Sequence, residues 1–195
     1  MRISVHPDRT KLCARVRALG RERDVPFDGE LYRFINPRFY KAVDTISGEG
    51  ALHACGRWNL MGVFRLSYTA LCPDTALSEA LAHVRYYQLP LSKALPRVLV
   101  AVRLKVSRAL DLRDGQVRKS LVLGENTIRS LDWRAENQQG VEALTQAWGF
   151  ALAETGFEAV IVPSAADPVG SNVLVFPENL LAGSHFSVVN EVRWT

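Results

Sequence analysis

From Pro96 to Leu104, Val98, Val100, Val102 and Leu104 alternate with Leu99, Ala101 and Arg103, the two-residue period of an extended strand. Apolar residues on both sides of the alternation point to burial from two faces. The run continues through Ala109-Leu110-Asp111-Leu112 until Asp114-Gly115 marks a turn. Two shorter apolar runs, Ala159-Val160-Ile161-Val162 and Val173-Leu174-Val175-Phe176, stop at Pro163 and Pro177, so this long strand has companions of its own kind. Helical spacing is confined to other segments, notably Val141, Leu144, Trp148, Ala151 and Leu152, which Gly156 is placed to end.

The stretch from Gly56 to His83 carries the densest set of chemically useful residues. Gly56-Arg57-Trp58-Asn59 reads as a loop, and Phe64, Leu66, Tyr68 and Ala70 then alternate with Val63, Arg65, Ser67 and Thr69 as a strand buried on one face. After Cys72-Pro73, Asp74 is an N-cap type, and Leu77, Ala80, Leu81, Val84 and Tyr87 form one apolar helix face. Glu79 points away from that stripe near the positive end of the helix. A solvated first-turn glutamate complementing the helix dipole is the plain reading. Gly56 permits a positive φ and a close backbone approach, and Arg57 beside it offers a planar fork of donors suited to phosphate. Trp58 reads as a core plug beneath the loop, and Asn59 as a brace.

Composition narrows the class. A chain of 195 residues, 48% hydrophobic and 23% charged, reads as one globular domain with a substantial core. Three cysteines, Cys13, Cys55 and Cys72, make an odd count without a CxxC pair, against a disulfide framework or structural zinc and in keeping with a reducing compartment. The N-terminal stretch lacks the apolar core of a signal peptide, and no segment is long enough to span a bilayer. A soluble, cytoplasmic protein is therefore expected. The net charge of +4 favours anionic ligands in general, yet the basic residues are spread out and give no case for nucleic acid. Residues 1–30 form a basic N-terminal extension in which Leu12, Val16 and Leu19 line one side of a short amphipathic helix.

Three further residues have two readings each. Arg33, within Leu31-Tyr32-Arg33-Phe34, is costly to bury unpaired, so it either snorkels outward or faces an anion. His53 has no serine or cysteine partner and reads as a surface or satisfied core histidine within an irregular connection over 41–54. Ser164, immediately after Pro163, is an ordinary turn residue or a site residue; no GxSxG surrounds it and no histidine lies near to activate it. Residues 115–139 resist assignment beyond one helix start, with Trp133 as an anchor.

Taken together, Arg33, the Gly56-Arg57-Trp58-Asn59 loop, Tyr68, Glu79, and the strand–Pro163-Ser164-Ala165–loop–Asn172–strand unit resemble the RES-domain family, in this order and across residues 31–177. The resemblance implies an α+β fold, a single domain over 1–195 with an ADP-ribosyltransferase-like split β-sheet core and peripheral helices. It also implies a toxin of a bacterial toxin–antitoxin pair that acts on NAD, with a cognate Xre-type antitoxin as partner. It leaves the oligomeric state, a homodimer included, open.

The resemblance assigns Arg33 and Arg57 to the phosphates or adjacent ribose and Tyr68 to the nicotinamide. Glu79 falls to the developing ribosyl cation, and Ser164 and Asn172 to the nicotinamide ribose or amide. The chemistry fits those types. The nicotinamide of NAD leaves from a positively charged ring nitrogen, so the reaction needs no general acid. It does need a carboxylate near an oxocarbenium-like sugar and donors fixed on the diphosphate. No metal and no cofactor are expected, NAD being the substrate. Water or phosphate as acceptor would give ADP-ribose or its phosphorylated equivalent. The alternative is a mono-ADP-ribosyltransferase acting on a protein, which a serine at position 164 disfavours, because other ADP-ribosyltransferases place a glutamate there.

Overall fold

The computed structural model describes residues 3–37, 40–95 and 97–194; Pro96, the expected start of the long strand, lies outside them. In chain order the elements are α1 (Arg9–Arg17), β1 (Val25–Ile35), α2 (Ala42–Ser47), α3 (Gly50–His53), β2 (Ser67–Ala70) and α4 (Pro73–Tyr86). There follow β3 (Arg97–Asp111), α5 (Gly115–Leu121), α6 (Glu125–Ser130), α7 (Trp133–Gln138), α8 (Leu144–Glu154), β4 (Ala159–Pro163), β5 (Ser171–Val175) and β6 (His185–Trp194).

The strands run in the order β1-β2-β5-β4-β3-β6, and a further pairing of β1 with β3 closes the first five into a barrel. β3 makes this closure possible by its length. Its residues from Val98 to Ala109 pair antiparallel with β1, its first part pairs with β6, and its last three residues run parallel to β4. The ring is thin between β1 and β2, where Tyr32 and Ala70 are the paired residues. The fold is thus α+β, a closed β-barrel with helices around it.

Alternation along the strands sorts side chains between two cores. Val98, Val100, Val102 and Leu104 of β3 join Leu31, Ala159, Ile161, Val173 and Val175 in one cluster. Val160, Val162 and Leu174 face the other way, onto Trp148, Ala151 and Leu152 of α8 and Leu12 and Val16 of α1. The N-terminal helix is therefore part of the same packing. Its Arg9 reaches the buried carboxylate of Glu142 and lies 4.0 Å over the Phe150 ring.

Several local expectations change. β3 is buried mainly on one face, since Arg103, Lys105 and Ser107 reach solvent between its flanking strands. β2 is only four residues long because its ladder to β5 begins at Ser67; upstream, Gly62 turns the chain at φ 78°. The connection over 41–54 holds two short helices, the first closed by Gly48 at φ 68°. The helix α4 starts one residue before Asp74, with Cys72 in the cap position and Asp74 in the first turn. Its buried residues are Thr75, Ala76 and Val84, while Tyr87 is exposed. The unassigned segment 115–139 forms α5, α6 and α7, the first and last capped by the side chains of Asp114 and Asp132.

Candidate active site

Glu79 stands in the second turn of α4, and one oxygen of its carboxylate is tightly held. Ser164 Oγ and Asn172 Nδ2 both donate to Glu79 Oε1, each at 2.6 Å. Oε2 receives no hydrogen bond among the described residues. The solvated-glutamate reading therefore fails: two side chains from the mouths of β4 and β5 orient this carboxylate through its Oε1. Asn172 presents its nitrogen to Glu79, so its Oδ1 is left buried without a partner.

Ser164 is fully buried, and its hydroxyl oxygen accepts from the backbone N–H groups of Ala166 and Asp167 at 3.1 and 3.0 Å. With those two acceptances and its donation to Glu79, the hydroxyl uses its one donor and both acceptor positions and is saturated. The loop that carries it is pinned from two sides. Arg129 of α6 donates to the carbonyls of Ser164 and Asp167. Thr75 of α4 donates to Asp167 Oδ2 at 2.6 Å, and that bond foremost holds the Asp167 carboxyl below its usual range. Gly170 is what allows this closeness, since a Cβ there would lie 2.2 Å from Thr75 Oγ1.

The Gly56 loop is built in the same manner. Tyr68 donates to Asn59 Oδ1 and accepts from the Trp58 N–H, both at 2.9 Å. Asn59 donates in turn to the carbonyls of Ala51 and Ala54. Trp58 is 2% exposed and plugs the core below. Gly56 serves the close approach rather than a positive φ, for a Cβ at that position would sit 2.5 Å from Tyr68 Oη. Gln146, fully buried in α8, donates to the carbonyls of Gly56 and Asn59. Burial pushes the Tyr68 hydroxyl well up, so the phenol stays protonated.

This scaffold presents Arg57, whose Nη1 donates to the Leu131 carbonyl at 2.8 Å. Burial lowers its pKa, the charge of Glu79 raises it again, and Arg134 pushes against it. Arg57 and Glu79 thus feel one another's field, as do Tyr68 and Glu79. Tyr68 and Asn172 share a face of the sheet, because their register partners on the neighbouring strand are Leu174 and Ala70.

Arg33 stands apart from this group. Its Nη1 donates to the Thr45 carbonyl and to Ser67 Oγ, at 2.8 and 2.9 Å. Ser67 and Tyr68 are consecutive in β2 and point to opposite faces, so Arg33 lies across the strand from the Glu79 cluster. Neither reading of Arg33 describes it fully: it does not snorkel, and it faces no carboxylate among the described residues. Its Nε is buried without a partner, and burial alone pulls its pKa down to about 10. His53 is an exposed residue 3.7 Å from Glu49, and Cys13, Cys55 and Cys72 are free thiols.

A closed barrel with a clamped carboxylate at its rim, faced by arginine and tyrosine, defines a class that can be compared with known proteins. The family model described as RES domain matches residues 30–194, and the chain belongs to that family. In fold it is similar to a chain of the crystal structure of the M. tuberculosis MbcT–MbcA toxin–antitoxin complex. The TM-score is 0.75 at 24% identity, over 94% of this chain and 92% of that one. No curated protein matches the chain. Among the described residues, no helix is long and apolar enough to cross a membrane.

Proposed function

We propose that the protein is the toxin of a bacterial toxin–antitoxin pair and cleaves the nicotinamide–ribose bond of NAD, with water or phosphate as acceptor. The observation that carries this reading is the anchoring of Glu79 Oε1 by Ser164 and Asn172, which leaves Oε2 for an electron-deficient sugar. Membership of the RES family and a fold like that of a chain in a toxin–antitoxin complex support the toxin role. The likeness to a chain of a toxin–antitoxin complex also supports an antitoxin as partner; an Xre-type antitoxin and action in the cytoplasm complete the reading.

In this reading nicotinamide departs with the bonding electrons, and the ribosyl cation forms against Glu79, whose charge stabilises it. Asn172 Oδ1 accepts from a ribose hydroxyl or the nicotinamide amide, which satisfies an otherwise orphaned atom. Arg57 holds the diphosphate, and Tyr68 flanks the nicotinamide while its hydroxyl fixes the loop that carries Arg57. Arg33, on the opposite face of β2, makes no direct contact in this reading and ties the Thr45 carbonyl and Ser67 together behind the strand that carries Tyr68. In this reading the closed barrel, found where a split β-sheet core was expected, is a variant of the ADP-ribosyltransferase-like plan.

A mono-ADP-ribosyltransferase is the second reading. It is disfavoured because the saturated Ser164 hydroxyl has no capacity left to activate a protein acceptor. Incubation of the purified protein with adenine-labelled NAD, with and without phosphate and with cell lysate, separates the two. Free ADP-ribose or its phosphorylated equivalent is the expected product, and label retained on protein would favour the transferase.

A further inference from the structure

Beyond the clamped glutamate, α4 leads to the exposed ring of Tyr86 and, beside it, the partly exposed ring of Trp133, which the assigned site residues do not use. Glu79 and Tyr86 are seven residues apart on this helix, hence on one face and ~10.5 Å apart along its axis. Tyr86 is 40% exposed, and its hydroxyl donates to Asp132 Oδ2 at 2.9 Å. That bond draws the segment 131–134 across the end of α4. The Leu131 carbonyl at the start of the same segment holds Arg57. At its far end the Arg134 guanidinium lies 4.7 Å from the Tyr86 ring centre and 4.4 Å from that of Trp133.

Arg134 makes no ion pair among the described residues, and its charge opposes that of Arg57. The Arg134 guanidinium, over two rings and three residues past the Leu131 carbonyl that holds Arg57, makes an arrangement that an anion next to a planar base would satisfy. The order along the molecule is a carboxylate at Glu79, a phosphate donor at Arg57, and then a second arginine between two aromatic rings.

We propose that Trp133, Arg134 and Tyr86 form the subsite for the adenosine half of the dinucleotide. Arg134 shares the diphosphate with Arg57, and the adenine stacks on the Trp133–Tyr86 side of the cluster. This inference rests on the NAD reading of the Glu79 site and extends it from the scissile end to the other nucleoside. Tyr86 is exposed and belongs to neither core, which leaves it free to carry a base on the side away from Arg134. The Tyr86–Asp132 bond positions the platform.

The probe is ADP-ribose, which keeps the adenosine diphosphate and lacks the scissile bond, so its binding is read by calorimetry without turnover. The wild-type protein is expected to bind ADP-ribose more tightly than ribose 5-phosphate. Arg134→Ala and Trp133→Ala are expected to weaken ADP-ribose about tenfold and leave ribose 5-phosphate nearly unaffected. Trp133→Phe, which keeps a ring in place, is expected to restore most of the loss and guards against an unfolded alanine variant. Equal ADP-ribose affinity in wild type and Arg134→Ala overturns the subsite, as does a wild type that does not bind ADP-ribose. Failure of the parent reading looks different: ADP-ribose binds with the expected losses, yet NAD remains uncleaved.

Discussion

Ser164 Oγ donates to Glu79 Oε1 at 2.6 Å across 85 residues of chain, and Asn172 Nδ2 meets the same oxygen at the same distance. This relationship makes Glu79 sensitive to any new charge beside it. Asn172→Asp would set a second carboxylate against the first, and two such groups hold one shared proton to a higher pH than either does alone. The variant is expected to lose rate on the acidic side more steeply than wild type and to recover part of it as pH rises and the shared proton leaves. A pH–rate profile of nicotinamide release checks it; an unchanged acidic limb would contradict the clamp.

The loop carrying Arg57 depends on the Tyr68 hydroxyl. Tyr68→Phe strips the Trp58 N–H and Asn59 Oδ1 of their partner in a mostly buried setting, at a cost of about 1–3 kcal/mol. Urea unfolding should register that cost, and the KM for NAD should rise because Arg57 loses its support. Gly56→Ala is expected to act in the same direction and more strongly, since its Cβ would overlap Tyr68 Oη.

Arg33 donates to the Thr45 carbonyl and to Ser67 Oγ behind the strand that carries Tyr68. Arg33→Met leaves both acceptors without that donor and is expected to lower the thermal midpoint, at a cost of about 1–3 kcal/mol, with NAD cleavage by the folded fraction nearly unchanged. A variant that keeps its stability and loses NAD cleavage would instead place Arg33 on the substrate.

Glu158 supplies a pH dependence unrelated to the site. It is fully buried; desolvation pushes its pKa up, but Ser184 and the N–H groups of Leu181, Arg108 and Ser107 outweigh that and pull it below 4.5. A carboxyl lowered on folding stabilises the protein above its unfolded pKa, and that stabilisation is lost as pH falls through the folded value. Glu158→Gln should therefore be clearly less stable than wild type near pH 7, with the gap narrowing below about pH 4.5 in thermal melts.

Sequence patterning revealed the parts of this site that local rules govern. The valine alternation of β3, the proline-stopped runs of β4 and β5, and the apolar stripe of α1 are short-range signals, and each marks an element of the structure. What it could not reveal is set by partners distant in the chain. Arg129, Thr75 and Gln146 brace the site through contacts 35, 92 and 90 residues away, and none belongs to a motif. The segment 115–139 was opaque because its helices are only six or seven residues long, too short for periodicity to register. Arg33 illustrates the same limit: the cost of burying it was legible, but the face it takes is set by the ladder of β1 to β3, in which it lies opposite Val100. Residues 185–194 carry no strong alternation either, and they become β6 by pairing with β3.

The most direct measurement is the rate of nicotinamide release from NAD by wild type, Glu79→Gln, Ser164→Ala and the double variant. Because the serine acts through the glutamate, the account requires that Glu79→Gln lose about a thousandfold, that Ser164→Ala lose less, and that the double variant be no slower than Glu79→Gln alone. Losses that multiply in the double variant, or a wild type that leaves NAD intact, would contradict it.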